Sequence, residues 1–249
     1  MRIEVVGPSR WRHCVIAAHR ATGVEATGRD ASALEVADII RHAPDDVVGI
    51  EFHPSLCAAV AGVTDLDDGL AKETSVRSVV AFQPTGNARM AIGCHSLTSG
   101  IVRATRAASV ELGTTAILGG RELAASALAS AVELKARSIF LAPLNSAGPG
   151  SAISAAHRLG LDVSAVRFDA LIGRLGEFDS LMICGMIPQN VSAQIQHCGV
   201  PVIRVAAGEG GAVTYGAILA RQIEDAQRIL TGVNPDLSVI EKVVENFAA

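Results

Sequence analysis

Short apolar runs alternate with longer stretches of helical period along the whole chain. Ile3-Glu4-Val5-Val6 reads as a first strand stopped by Gly7-Pro8, and a helix through residues 17–21 follows, ending near Gly23. Residues 31–41 carry Leu34, Val36, Ile39 and Ile40 as an apolar stripe, which predicts a second helix with Asp30 as its N-cap. Val47-Val48-Gly49-Ile50-Glu51-Phe52 reads as the next strand, and residues 54–60 as a helical turn. Residues 76–82 and Met90-Ala91-Ile92 flank the polar turn Pro84-Thr85-Gly86-Asn87, a hairpin pattern.

From Thr98 the alternation becomes regular. A helix to about Leu112 leads into the strand Thr115-Ala116-Ile117-Leu118, and Gly119-Gly120 open an Ala-rich helix through Ala136. Strands at 138–142, 161–166 and 180–184 alternate with a loop at 145–150 and helices at 151–159 and 171–176. Strand–helix alternation of this length implies a parallel sheet and a Rossmann-like half. The run 200–205 predicts one more strand, followed by glycines at 208, 210 and 211 and a helix at 213–230. A last helix at 237–247 sets Leu237, Ile240, Val243, Val244 and Phe247 on one face. The fold class expected is α/β with two lobes: residues 1–97 with 212–249, and a Rossmann-like lobe at 98–211, the final helices returning to the first.

Composition narrows the classes. Hydrophobic residues make up 49% of 249 and aromatics only 3%, so the core is aliphatic. A net charge of −4 without a basic run argues against nucleic acid as a partner. Five cysteines, odd in number and without a C-x-x-C pair, read as reduced thiols of a cytoplasmic protein. There is neither a signal-peptide pattern nor an apolar run of membrane-spanning length. A homodimer stays open as an assembly.

Strand, glycine turn and helix in that order form the backbone N–H cluster that α/β proteins aim at anions, which makes Gly208 and Gly210, with Gly119 and Gly120, candidate ligand-binding glycines. Ile218-Leu219-Ala220-Arg221-Gln222 with Thr231-Gly232 resembles the closing signature of the shikimate dehydrogenases. Gly7-Pro8-Ser9 resembles the start of that family's G-x-P-I-x-H-S-x-S-P segment, and residues 17–23 its A-A-F-x-x-L-G. Pro54 stands for the proline of V-T-x-P-x-K, Val76-Arg77-Ser78-Val79-Val80 for V-N-T-V-V, and residues 93–100 for G-x-N-T-D-x-x-G. The resemblance implies a substrate lobe, an NADP lobe and a cleft at the carboxyl ends of both sheets. It assigns Ser9, Arg77, Ser78, His95 and Gln222 to the substrate side.

The departures carry as much information. The family's lysine and aspartate, which pass a proton while NADP passes hydride, fall on Leu56 and Leu97. Its asparagines become Arg77 and His95, the second serine of S-x-S becomes Trp11, and the threonine before the proline becomes Phe52. Of the G-A-G-G-A loop only Gly119-Gly120 persist before Arg121-Glu122, and Ala142-Pro143 replace the N-R that meets the 2′-phosphate. The Y-x-P-x-x-T-P stretch is missing.

A pocket so changed predicts a divergent binder of a small anionic carboxylate, or of a partner, that does not oxidise shikimate. An NAD(P)-dependent oxidoreductase of a small cyclic hydroxy or oxo acid is the first alternative. An enzyme with changed chemistry, His95 its nearest base, is the second. Arg77 and Arg121 are candidate carboxylate or phosphate clamps. Cys94 and His95 are neighbours on an extended strand and point apart, which argues against a thiol–imidazole pair. Asp65, Asp67 and Asp68 before Gly69 read as a solvated turn, and no metal site is expected.

Overall fold

A computed structural model of the protein describes residues 1–145, 148 and 150–248. Its elements in chain order begin with β1 (Arg2–Val6), α1 (Ser9–Ala21), β2 (Glu25–Arg29), α2 (Val36–Arg41) and β3 (Val47–Phe52). After a 3-10 turn at Pro54–Leu56 come β4 (Leu66–Asp67), α3 (Gly69–Thr74), β5 (Val79–Thr85), β6 (Ala88–Cys94) and α4 (Ser96–Ala107). Then follow β7 (Thr114–Gly120), α5 (Arg121–Glu133), β8 (Ser138–Asn145), α6 (Ala152–Arg158), β9 (Ser164–Ala165) and α7 (Phe168–Ile172). The chain closes with β10 (Ser180–Cys184), α8 (Gln189–His197), β11 (Val202–Arg204), α9 (Tyr215–Thr231) and α10 (Leu237–Ala248). Ser146, Ala147 and Pro149 of the loop expected at 145–150 lie outside the described residues.

The chain divides into two compact units, Met1–Gly100 with Leu219–Ala249, and Ile101–Ile218. The first unit holds a six-stranded sheet in the order β2-β1-β3-β5-β6-β4. β5 and β6 form the hairpin, tightened to a two-residue turn because Gly86 takes φ +60° and lets Thr85 pair with Ala88. The closing helices, from Leu219 of α9 onward, belong to this unit. α10 packs on α1, where Arg10 donates to the Phe247 carbonyl at 2.8 Å. Leu230 of α9 lies over Gly49 of β3, where an added Cβ would come within 2.2 Å of it.

A buried polar chain fastens α9 to the same sheet. His19 of α1 contacts Glu51 of β3 through Nε2 and Gln227 of α9 through Nδ1, both at 3.0 Å, and Thr22 donates to Gln227 at 2.8 Å. His19 and Glu51 are fully buried. Buried polar groups persist where they are hydrogen-bonded, and this chain fixes one register of helix on sheet.

The second unit is a fully parallel sheet in the order β11-β10-β7-β8-β9, the Rossmann order. Both faces of such a sheet are covered, so its inner strands read as unbroken apolar runs: Ala116, Ile117 and Leu118 in β7, and every residue of β10, are buried. α5 offers only alanine, serine and leucine from Ala124 to Ala131, all buried, which allows the helix to approach the strands closely. On the other face Val191 and Ile195 of α8 join Leu118, Leu181 and Ile183 in the core. No helix among the described residues is long and apolar enough to cross a membrane.

Several expected elements differ. The helix of residues 31–41 starts only at Val36: Leu34 is exposed, Glu35 accepts from both Ser32 N and Ser32 Oγ at 2.7 Å, and Asp30 accepts from Ala31 rather than capping a helix. The strand expected at 161–166 shrinks to two residues. The helix after the glycine turn begins at Tyr215, not Val213.

Candidate functional site

In the first unit the carboxyl ends of β1, β3, β4 and β6 meet the start of β5, and this end of the sheet collects Arg77, Ser78 and His95. Arg77 is buried, and its fork closes on Asp67: Nε donates at 3.0 Å and Nη2 at 2.5 Å. Thr64 adds a third donor to Asp67 at 2.8 Å, and these contacts, led by the guanidinium, hold its carboxyl below the usual range. The pair lies on Gly93, where an added Cβ would sit 2.5 Å from Asp67 Oδ1 and 2.7 Å from Arg77 Cγ. Arg77 Nη1 stays buried without a hydrogen-bond partner.

Ser78 is spent on architecture. Its Oγ accepts from Ser96 N at 2.8 Å and meets Ser96 Oγ at 2.9 Å, tying β5 to the start of α4. His95 is buried with its ring against Thr98, and its backbone N–H donates to Asp68 at 2.9 Å. Burial first, and the Arg77 charge second, push its imidazole down to about 3. His53, at the end of β3, is pushed down to about 4 by burial and meets Trp11 edge-on at 5.2 Å between ring centroids. Trp11 Nε1 is buried without an acceptor. Cys94 is raised to about 12 by burial, then by Asp68, Asp225 and Asp67, so it is no nucleophile at neutral pH.

Gln222 belongs to this unit and lies one helical turn before Asp225, the residue that Cys94 feels. It is buried, and its Nε2 has no hydrogen-bond partner. Ser9 stands exposed at the start of α1, and among the described residues no hydrogen bond links it to the cluster.

The aspartates before Gly69 are not a solvated turn. Asp65 accepts from Ala91 N at 2.7 Å, Asp67 holds Arg77, and Asp68 caps α3 at Ala71 N (2.6 Å) while holding His95. These three neighbouring carboxylates thus become the mortar of this sheet end. Their roles depend on partners 10 to 27 residues away, which spacing alone does not reveal.

In the second unit Gly119 and Gly120 end β7. Gly119 takes φ +131°, and a Cβ there would lie 2.6 Å from the Cys184 carbonyl, so contact between β7 and β10 explains this glycine without a ligand. A Cβ on Gly120 would meet nothing within 4 Å, and α5 starts directly after it without a side-chain cap. Glu122 stands in that first turn, its carboxyl raised by burial, with Arg121 3.4 Å away as its ion-pair partner. Arg121 thus lies beside a carboxylate, while its Nε is buried without a hydrogen-bond partner.

The glycines at 208–211 do not open a helix. Three residues separate them from α9, whose first turn is served by Thr214 Oγ1 accepting from Ala217 N at 3.2 Å. They serve a side chain instead, since Arg204 of β11 lies over the loop. A Cβ on Gly211 would come within 3.2 Å of Arg204 Cγ and 2.9 Å of the Val202 carbonyl, and one on Gly208 within 3.8 Å of Arg204 Nη1.

Solved structures match this architecture over the full chain. The shikimate dehydrogenase of Mycobacterium tuberculosis superposes with a TM-score of 0.81 at 16% identity, over 98% of this chain and 99% of that one. The fold is that of the shikimate dehydrogenases. The Thermus thermophilus shikimate 5-dehydrogenase in complex with shikimate gives a TM-score of 0.78 at 18% identity, over 100% of this chain and 99% of that one. A quinate dehydrogenase of Corynebacterium glutamicum in complex with NAD also gives 0.78, at 14% identity, over 99% of both chains. No protein-family model matches the chain, and no curated protein matches its sequence. Backbone order is thus shared where most side chains are not. In this shikimate dehydrogenase fold, Leu56 and Leu97 are 5% and 1% exposed, apolar packing at the two positions where the resemblance sets a proton-transferring pair.

Proposed function

We propose that this chain uses the shikimate dehydrogenase fold to bind a small carboxylate and does not transfer hydride. The observation that carries the reading is the apolar packing of Leu56 and Leu97, buried where the resemblance sets the proton-transferring pair, and the groups left at the first unit's sheet end are displaced from neutral pH. His95 lies near 3, His53 near 4 and Cys94 near 12, and Asp67 is held down by Arg77. Proton transfer at neutral pH is fastest from a group whose pKa lies close to that pH, and none of these does. Burial and the Arg77 charge thus weigh against His95 as the base of the changed-chemistry alternative. Of the lysines Lys72, Lys135 and Lys242, Lys72 is near enough to lower Asp67, but it is exposed and Asp67 is taken by Arg77.

What the site retains is hydrogen-bond donors without acceptors. Arg77 Nη1 and Gln222 Nε2 are buried and unsatisfied. Each such group costs about 1–3 kcal/mol, and a ligand carboxylate supplies the missing acceptor.

The glycine turn of the second unit fits NADP poorly. Its one open position, Gly120, is followed by a buried Glu122 carboxylate in the turn that would face a diphosphate. The uncapped start of α5 does favour, as a second reading, a dinucleotide-dependent oxidoreductase of a small cyclic hydroxy or oxo acid. One experiment separates the two. A ligand at about a hundred times its dissociation constant stabilises by about 2.7 kcal/mol. Thermal shifts are measured with NAD, NADP, shikimate, quinate and simple carboxylates, alongside dinucleotide reduction followed by the absorbance of the reduced nicotinamide. Stabilisation by a carboxylate alone supports the proposal; reduction of either dinucleotide with shikimate or quinate sinks it.

A further inference from the structure

A second anion-sized feature lies in the other unit, two strands away from the glycine turn of β7. A pocket of about 400 Å³ runs along the outer edge of β11. Ile195, Val200 and Pro201 form its apolar wall, and Arg204, Glu209 and Gly211 its polar side. Neither Gly119 nor Gly120 lines it.

Arg204 is the anomaly. Its residue is 7% exposed, yet among the described residues it has no ion pair and no side-chain hydrogen bond, and its Nε is buried without an acceptor. The other deeply buried arginine, Arg77, is closed on a carboxylate. A buried guanidinium N–H without an acceptor costs a fold free energy that a bound anion can return. The surroundings are shaped to keep it there. Gly211 takes φ +109° beneath Arg204 Cγ, and the backbone amides of Gly210 and Gly211 donate to no group among the described residues.

We infer that this pocket is a binding site for a small monocarboxylate with an apolar body, held by the Arg204 fork. The apolar wall takes the body and the guanidinium takes the carboxylate, whose geometry matches two parallel N–H donors. Glu209 sets the charge limit: a second negative charge, as on phosphate or a dicarboxylate, meets a carboxylate on the same lining. The site is independent of the one proposed above, which lies in the other unit and turns on Arg77 and Gln222.

Benzoate is the probe, titrated by calorimetry into the full chain, with benzamide and inorganic phosphate as controls. Saturable benzoate binding is expected that weakens roughly tenfold to hundredfold in Arg204→Met, the size of a charge-assisted contact. Benzamide and phosphate bind far more weakly. The apo melting point of Arg204→Met stays close to that of the wild type, since among the described residues Arg204 makes no ion pair and its buried Nε has no acceptor. Equal benzoate affinity in wild type and Arg204→Met overturns the assignment, as does a preference for phosphate. Should Arg204→Met fail to fold, amide NMR of the wild type decides: benzoate must move the Gly210 and Gly211 signals, and unmoved signals refute the site.

Discussion

Arg77 stands where the resemblance calls for a substrate-binding asparagine, but the geometry makes it first a structural residue. Two of its three nitrogens are bound to Asp67 at 2.5 and 3.0 Å, and the side chains are 7% and 22% exposed. Removing one member of a buried ion pair costs about 3–5 kcal/mol, because the survivor is left without its partner. Asp67 keeps some contact with water, so the lower end applies, about 3 kcal/mol for Arg77→Ala. In a chain of this size 1 kcal/mol moves the melting point by about 2–4 °C, so a loss of about 6–12 °C is expected. Asp67→Ala leaves Arg77 buried and unpaired and should cost at least as much. The double variant should fall well short of the sum, with about 2 kcal/mol of coupling, within the range for residues in contact.

Asp67 is lowered in the folded state, so its contribution is complete above the unfolded carboxylate value, about 3.9, and is lost as pH falls through the folded one. The melting point of the wild type should therefore drop more steeply below about pH 4 than that of Asp67→Ala. Denaturant melts at neutral and acid pH measure all of this. Additive single effects below about 1 kcal/mol would refute the closed pair and return Arg77 to the solvent face.

Three further outcomes follow from other positions. His53 and His95 are lowered from an unfolded value of about 6.5, so the unfolded chain takes up protons first; stability should decline as pH falls from about 6.5 toward 4 for His53 and 3 for His95, and ring NMR titrations should be flat between about pH 5 and 8, a midpoint near 6.5 being the disproof. Cys94 should resist iodoacetamide at about pH 8 in the folded protein and react once denatured; rapid native labelling would show that its burial is wrong. Gly119→Ala should destabilise by about 2 kcal/mol or more, since its Cβ meets the Cys184 carbonyl at a φ of +131°, whereas Gly120→Ala should leave the melting point within about 1 °C; comparable losses would overturn the distinction.

How much of this is legible in the sequence depends on how many side chains each element buries. β7 and β10 announce themselves because nearly every inner residue is apolar. β2 does not: Glu25-Ala26-Thr27-Gly28-Arg29 buries Ala26 alone, as an edge strand does. α8 hides for the same reason, docking through Val191 and Ile195 amid glutamines. At the candidate site, Leu56, Leu97 and Trp11 are readable because a change of residue type shows in a motif. The closure of Arg77 on Asp67, the bonds that use up Ser78 and the burial of Arg204 are not, because each needs a partner or a cover fixed only by the fold. His53 is silent too, since an imidazole two residues after Glu51 carries no pattern; only its place beside Trp11 gives it meaning.

The bond from His19 to Gln227 spans 208 residues and has a bearing on the order in which the chain assembles. Residues 101–218 are contiguous and can reach their native arrangement while the ribosome is still adding the remainder. The first hundred residues cannot: until α9 emerges, His19 and Glu51 lack the side chain that completes their buried chain, and Leu230 is missing from its seat over Gly49. The first unit to be synthesised is thus the last to be finished, and a nascent chain stalled before residue 219 should show a protease-resistant second unit beside a digestible amino-terminal one.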